Sequence, residues 1–317
     1  MKQRAIMNNS KVLLTGANGM VGKNIIDSKP DNVLLFTPSS QELNLFDFDA
    51  VSRYIKVNKP DIIIHAAGIV GGIQANINNP VRFLRENTLM GHNIVWASYE
   101  NNVGHFINLG SSCMYPKNAI NPLTEEQILT GPLEPTNEGY AISKIFSQRL
   151  CSSINKETNT NNYKTYIPCN LYGKYDKFDA EWGHMIPSVI KKIYEAKIKR
   201  EDTVTIWGDG TARREFMYAA DLADFIWKSL LDINTIPELL NVGLGYDYSI
   251  KEYYNTIAQV VGYNGEFVFD LTKPTGMKQK LVDISLLDKT GWKAKTSLVE
   301  GLNETFKFYI ENFNVNE

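Results

Sequence analysis

The segment TGANGMVG at residues 15–22 constrains this chain more than any other stretch. Gly16, Gly19 and Gly22 stand three apart, directly after the apolar run KVLLTG and at the head of the amphipathic run MVGKNIIDS. Glycines in that spacing let a strand turn sharply into a helix, let backbone approach an anionic group closely, and let the helix pack on the strand. The helix N-terminus adds partial positive charge. An ordinary strand-to-helix turn gives the same pattern, so the neighbouring sequence decides.

That neighbourhood alternates. NVLLFT, DIIIHAAG and HFINLGSS read as strands, and DAVSRYIKVNK and PVRFLRENTLMGHNIVWASYEN read as helices between them. Strands that are apolar throughout and separated by helices predict an α/β fold with a doubly wound parallel sheet covered on both faces. Such sheets bind ligands beyond the carboxyl ends of their strands. The glycine loop, the HAAG segment and the GSSC segment at residues 110–113 therefore converge on one cleft. A dinucleotide suits that place. The second strand is followed by Pro38-Ser39-Ser40, with neither the acid that usually holds ribose hydroxyls nor an arginine. The Ser39 and Ser40 hydroxyls favour a 2′-phosphate and hence NADP (NADPH), with NADH left open.

Beyond residue 170 the alternation breaks into irregular segments such as YGKYDKFDAEWGH and WGDGTARREFMY. Asp209-Gly210 suits a tight hairpin, ADLADFIWKSLL reads as a helix returning to the first lobe, and ELLNVG as another strand. The expected organisation is a dinucleotide-binding domain over 1–170, with returning segments near 215–245, and a smaller substrate lobe from 171–214 and 246–317. Net charge of −2 offers no field for nucleic acid or an anionic membrane. The three cysteines, Cys113, Cys151 and Cys169, are odd in number and scattered, which fits a reducing compartment. VLL is too short for a signal-peptide core, and no run approaches membrane length, so a cytoplasmic protein is expected. No Cys/His cluster has metal-ligand spacing, so no metal is expected.

GYAISK places Tyr140 and Lys144 four apart, on one face of a helix. A tyrosine is a poor proton donor or acceptor near neutral pH unless its pKa falls by about three units, and a neighbouring ammonium in a desolvated cleft supplies part of that. With the glycine loop and Ser111, this pair resembles the extended short-chain dehydrogenase/reductase family. The resemblance implies a Rossmann-type sheet, catalytic roles for Ser111, Tyr140 and Lys144, and a cofactor lined by Gly16, Asn18, Gly19, Met20, Val21, Gly22, Ala66, Ala67, Gly68 and Asn87. RREFMYAAD is similar to that family's segment lining the nucleotide-sugar cleft.

LGSSCMYP, LEPTNEGYAISK, NLYGKYDKF, HMIPSVIKK and WGDGTARREF are similar, in order and spacing, to the GDP-L-fucose synthase group. That likeness implies a GDP-linked 4-keto sugar, epimerised beside the ketone and then reduced at C4 by NADPH. It also implies Cys113 and His184 as proton-transfer groups. The chemistry is consistent, since a thiol and an imidazole bracket neutral pH. Ser112, Asn170, Lys192, Trp207 and Arg214 match positions near the nucleotide-sugar, and the long helices match a homodimer interface. Two features depart from the group. The cofactor-selecting arginines are absent, and Trp182 stands in a loop expected to line the sugar pocket. A C4 reductase without epimerase activity, acting on a deoxyheptose, is therefore one alternative. A non-catalytic dinucleotide sensor is another. For Cys113 the other reading is a small strand-end residue; for His184 it is a structural loop histidine.

Overall fold

Runs rich in valine, isoleucine and leucine form the strands their composition predicts. In a computed structural model, which describes residues 9–179, 182–272 and 277–313, these strands build one central sheet. Parts of the N-terminal segment, of DAEWGH and of KPTGMK lie outside the described residues. The chain runs β1 (Ser10–Thr15), α1 (Met20–Asp27), β2 (Val33–Phe36), α2 (Phe48–Asn58), β3 (Ile62–His65), α3 (Ile73–Asn78) and α4 (Pro80–Glu100). It continues through β4 (His105–Leu109), α5 (Glu138–Thr158), β5 (Tyr163–Pro168), β6 (Asn170–Tyr172), α6 (Met185–Lys199), β7 (Thr203–Trp207), β8 (Arg213–Arg214) and β9 (Phe216–Tyr218). The remainder comprises α7 (Ala219–Ser229), β10 (Leu239–Val242), β11 (Tyr248–Ser249), α8 (Ile250–Val261), β12 (Glu266–Asp270), β13 (Gln279–Lys280), α9 (Ser285–Asp288) and α10 (Leu298–Phe313).

Six strands pair in parallel in the order β10-β5-β4-β3-β1-β2, which is the expected doubly wound sheet. The two-residue period of the strands sorts their side chains between two cores. Val12, Leu14, Ile62 and Ile64 pack with Ile25 of α1 and with Phe225 and Trp227 of α7. Leu13, Ile63 and Phe106 face the opposite way, against α2, α4 and α5. The returning helix α7 is fixed on α1 by a hydrogen bond from Trp227 Nε1 to the Ile25 carbonyl, 2.9 Å. Strand order reverses between β1 and β3 while the two strands stay parallel, so the crevice predicted for a ligand opens at their carboxyl ends.

A third core gathers Ile186 and Ile190 of α6, Ile206, Phe216, Tyr253 and Ile257 of α8, and Leu302 of α10. Here one expectation fails. Asp209-Gly210 does not make a hairpin: β7 pairs in parallel with β12, while β8 pairs with β11 and β13. Gly208 and Gly210 both take left-handed φ, +71° and +75°, and Asp209 Oδ1 accepts from the Thr211 amide and hydroxyl at 2.9 and 2.8 Å. That local side-chain turn redirects the chain away from β7 instead of folding it back. Among the described residues, no helix is long and apolar enough to cross a membrane.

Glu215, between β8 and β9, is buried and ties this region to the end of the central sheet. Its carboxylate accepts from the amides of Leu244 and Gly245, after β10, and of Val282, after β13. Burial raises its pKa from about 4.5 to about 7, against those hydrogen bonds. The folded state then holds this proton more tightly than the unfolded chain, so its stabilising effect is complete below about 4.5 and is lost as pH rises through about 7. Glu215→Gln should flatten the fall in stability across that window, a slope of at most about 3 kcal/mol. Urea unfolding from pH 4.5 to pH 8 measures it, and an unchanged slope in the variant would refute the assignment.

Candidate active site

The loop after β1 is pressed against the loop after β3. Gly16 has φ +77°, and a Cβ there would stand 2.5 Å from the Ala67 amide and 2.6 Å from the Ala66 carbonyl carbon. A Cβ on Gly22 would lie 2.2 Å from the Gly16 carbonyl oxygen. Both glycines are demanded by backbone packing. Gly19 differs: its Cβ would meet nothing nearer than 3.4 Å, so its bareness serves approach from outside. It caps α1, whose first turn carries no acid and no side-chain cap, with Asn18 exposed and Met20 and Val21 half-buried beside it. This cradle of bare backbone at a helix N-terminus fits a pyrophosphate.

The β3 wall is held from behind. His65 is buried, its Nδ1 lies 2.7 Å from the Thr15 hydroxyl, and burial with the nearby Lys144 charge depresses its pKa to about 3. Ala66, Ala67 and Gly68 follow, half-buried. Asn87 clamps the wall: its Oδ1 accepts from the Ile69 amide at 2.8 Å, and its Nδ2 donates to the Ile69 and Phe83 carbonyls at 3.1 and 2.8 Å. Asn87 thus shapes the loop with its amide already engaged. After β2, the Ser39 amide donates to Glu42 Oε2 at 2.8 Å, and the Ser39 hydroxyl accepts from the Glu42 amide at 3.3 Å. The sequence reading had not included this acid, which lies three residues beyond Ser39; the turn holds it against the serine backbone. Ser40 is exposed.

Across the crevice, β4 delivers Ser111 and α5 delivers Tyr140 and Lys144. The Tyr140 hydroxyl is hydrogen-bonded to Ser111. Lys144 is only 8% exposed; its Nζ donates to the Leu109 carbonyl at 2.9 Å and lies 5.8 Å from the Tyr140 ring centroid. Burial lowers the Lys144 pKa to about 8. The tyrosine moves opposite to the sequence-based expectation. Burial of its hydroxyl, then the neighbouring Cys113, push its pKa well up, outweighing the Ser111 hydrogen bond. The ammonium is spent on a carbonyl and offers the phenol little.

A 3₁₀ turn over Ser112–Met114 follows Ser111, whose hydroxyl accepts from the Cys113 amide at 3.2 Å. The turn leaves Ser112 buried at 4% exposure and brings the half-buried Cys113 thiol to the cleft. Asn137 Nδ2 donates to Cys113 Sγ at 3.1 Å, and Lys280 Nζ lies 3.5 Å from the same sulfur. Sequence reading missed both residues. Asn137 was signalled by its place in LEPTNEGYAISK, one turn before Tyr140; Lys280 is 167 residues away from Cys113 and enters through the pairing of β13 with β8. Cys151 and Cys169 are buried.

His184 caps α6, with its side chain 40% exposed and Nδ1 3.8 Å from the buried Asp176 carboxylate. Two residues earlier Trp182 stacks on Phe83 at 6.2 Å and 15°, and Phe83 meets Tyr140 edge-on at 6.2 Å and 79°. The three rings join the loop before α6 to α5, which carries Tyr140 and Lys144. Beside them lies a cavity of about 340 Å³, lined by Asn76, Ile77, Phe83, Asn137 and Tyr140 among others.

The remaining expected contacts sit around the third core. Asn170 Nδ2 donates to the Glu215 carbonyl at 2.8 Å, and Lys192 Nζ to the Thr205 carbonyl. Arg214 is half-buried, with one guanidinium nitrogen on the Arg213 carbonyl at 2.7 Å. Trp207 is 60% exposed. Among the described residues, no group of three or more His, Cys, Asp or Glu side chains could hold a metal ion.

Comparison with known proteins places this arrangement. The sequence profile described as the NAD dependent epimerase/dehydratase family matches residues 12–243. A GDP-L-colitose synthase of Yersinia pseudotuberculosis is 55% identical over 96% of this chain and 99% of its own. A GDP-L-fucose synthase of Azorhizobium caulinodans is 47% identical over 97% and 98%. Among solved structures, a GDP-mannoheptose C4 reductase from Campylobacter jejuni with NADP bound superposes with a TM-score of 0.86 at 30% identity, covering 95% of this chain and 98% of that one. A match of that extent, over a sheet wound in the same way, makes this chain a member of the NAD dependent epimerase/dehydratase family, in the group that holds the GDP-L-fucose synthases.

Proposed function

We propose that this chain reduces a GDP-linked 4-keto sugar with NADPH, after inverting ring carbon beside the ketone. The observation that carries the reading is the Cys113 thiol, held by Asn137 one 3₁₀ turn from the hydrogen-bonded Ser111–Tyr140 pair. Ketone reduction needs the hydroxyl pair alone; a thiol at the same mouth adds a second proton-transfer group. The names of the two curated relatives support GDP-sugar synthesis. The Campylobacter reductase supports the narrower alternative, reduction without epimerisation.

NADPH, when bound, supplies the hydride for C4. Its pyrophosphate fits the Gly16–Gly19–Gly22 cradle, with Ser39 and Ser40 toward the 2′-phosphate and Lys144 at the nicotinamide ribose. Tyr140 gives its proton to the C4 oxygen while Ser111 hydrogen-bonds that oxygen. A phenol held fully protonated is the right state for an acid working in the reducing direction. Cys113 and His184 serve as the pair that removes a proton from ring carbon and returns one to the opposite face. Arg214, by its fork of donors, suits the diphosphate, with Ser112, Asn170, Lys192 and Trp207 around the nucleotide-sugar. The two-lobe division, with boundaries near 170, 215 and 245, puts the sugar between the lobes. Three free cysteines support a cytoplasmic setting.

Product NMR after turnover of GDP-4-keto-6-deoxymannose with NADPH in deuterated water tests this. Reduced product with deuterium beside C4 is expected, at one or two carbons according to how many centres invert. Tyr140→Phe should lose about 10²- to 10⁴-fold in reduction and lose less in deuterium exchange, where Ser111 still hydrogen-bonds the C4 oxygen and no proton need be donated to it. Reduction with no ring deuterium leaves a C4 reductase; cofactor binding without turnover leaves a sensor.

The Trp182–Phe83 wall presents apolar ring faces next to Tyr140. A hydroxylated side chain pressed there loses its water without gaining a partner, which disfavours a heptose. Trp182→Ala should raise relative kcat/KM for the heptose over the deoxyhexose substrate about tenfold, in line with 1–3 kcal/mol of discrimination for such a group. An unchanged ratio would remove Trp182 from substrate choice.

The outer faces of α4 and α5 expose Val81, Leu84, Ile142 and Phe146, and Val81 is 72% exposed. We read this strip as a homodimer interface. Phe146→Glu should convert a dimer into a monomer in sedimentation, whereas a wild-type monomer at micromolar concentration would dismiss the interface.

A further inference from the structure

Resting on the proposed epimerase chemistry, one contact at Cys113 goes further. Lys280 Nζ approaches the sulfur at 3.5 Å, and Asn137 Nδ2 does so at 3.1 Å. An ammonium has donors only, so in this contact the sulfur accepts. Among the described residues, no carboxylate pairs with Lys280, and its charge is left to act on the thiol. The backbone around it is fixed on both sides. Gln279 Nε2 donates to Asp247 at 2.6 Å, the Leu281 amide donates to Asn121 Oδ1 at 2.8 Å, and the Val282 amide donates to Glu215 at 3.0 Å. Pairing of Lys280 with Arg214 puts the two cations side by side on adjacent strands. A lysine delivered this firmly to a sulfur is more than surface decoration.

We infer that Lys280 is a positioning residue for proton transfer, holding the Cys113 sulfur in its anionic, proton-accepting form against the sugar. Thiolate, not thiol, is the base, and a neighbouring cation favours it. In the step it supports, the sulfur takes the proton from a ring carbon next to the ketone. The carbon–hydrogen electron pair moves into a carbon–carbon double bond, and the carbonyl pair moves onto the C4 oxygen beside Ser111 and Tyr140. Return of a proton from His184 to the opposite face of that carbon restores the ketone with inverted configuration. Solvent then resets both side chains, and no oxidant or reductant is consumed. Among the described residues, the titratable groups shown against Cys113 are Lys280 from β13 and Tyr140 from α5.

Two measurements on the full-length protein test this. Iodoacetamide alkylation of Cys113 across pH 5.5 to 9.5, read by peptide mass, needs no substrate; Cys151 and Cys169 are buried and act as internal controls. Lys280→Met should slow alkylation at pH 7 about tenfold and displace the rise in rate to higher pH. Lys280→Arg, which keeps the charge, should restore the wild-type profile even if the methionine variant is less stable. The second is deuterium exchange into GDP-4-keto-6-deoxymannose without NADPH. It should fall about tenfold or more in Lys280→Met at pH 7, recover at high pH, and survive in Lys280→Arg, with NADPH affinity unchanged throughout. Identical alkylation profiles in wild type and Lys280→Met would overturn the inference. A displaced alkylation profile in a wild-type protein that exchanges no ring proton would instead overturn the epimerase reading, and with it the catalytic part of the role assigned to Lys280.

Discussion

The site depends on a buried carboxylate that faces three backbone amides. Glu215 accepts from Leu244, Gly245 and Val282, segments that are remote in sequence. Placing an acid there costs desolvation, which its raised pKa of about 7 records. The return is geometric. Arg214 is its chain neighbour, Lys280 lies two residues before Val282, and the Glu215 carbonyl receives Asn170. Three side chains assigned to the substrate or its proton transfers thus take their positions from one knot at the end of the central sheet. A Cβ on Gly243 would stand 2.5 Å from the Glu215 carboxylate, so the turn after β10 is shaped around the same group.

Burial, more than ion pairing, sets the electrostatics of the reacting end. His65 is held neutral, Lys144 is brought down to about 8, and Tyr140 is pushed up. Each shift has desolvation as its largest cause. The sequence-based expectation for Tyr140 assumed that four-residue spacing on a helix would aim the ammonium at the phenol. The spacing is right, but Lys144 Nζ reaches past the ring to the Leu109 carbonyl. That carbonyl is the last of β4, so the lysine also braces the strand that carries Ser111. Protonated acid and nearby cation remain together, which is what proton donation to a developing alkoxide requires.

Local sequence made part of this legible. The glycine spacing, the uniformly apolar strands and the Tyr140–Lys144 pair each encode a structure within a few residues, and all appear where they were read. Strand pairing beyond residue 200 was not legible in the same way. Asp209-Gly210 carries a hairpin signature, yet β7 finds its partner in β12, about sixty residues on, because that pairing closes a core over α6 and α8. Asn87, expected against the cofactor, also clamps Ile69, a contact that depends on where α4 lies relative to β3. Lys280 had no local signal at all: a lysine in a short polar run gains meaning only from β13 pairing with β8.

The proximity of Cys113 to Ser111 follows from the chemistry. Proton removal beside a ketone and hydride addition to it both send charge to the same C4 oxygen. One pair of hydroxyls, Ser111 and Tyr140, can therefore stabilise the enolate of the first reaction and the alkoxide of the second. A separate epimerase would need that oxyanion site built again. What the second chemistry adds is a base within reach of the neighbouring carbon, and a 3₁₀ turn of three residues brings the next suitable side chain to the same mouth. In the role inferred for it, Lys280 arrives on β13 to supply the charge that a thiol lacks. In the proposed reaction the groups for reduction, and Cys113 with them, belong to the central sheet and its helices, whereas Lys280 and His184 come from β13 and the start of α6. Loss of contact between the two would leave a reductase intact and silence the epimerase first.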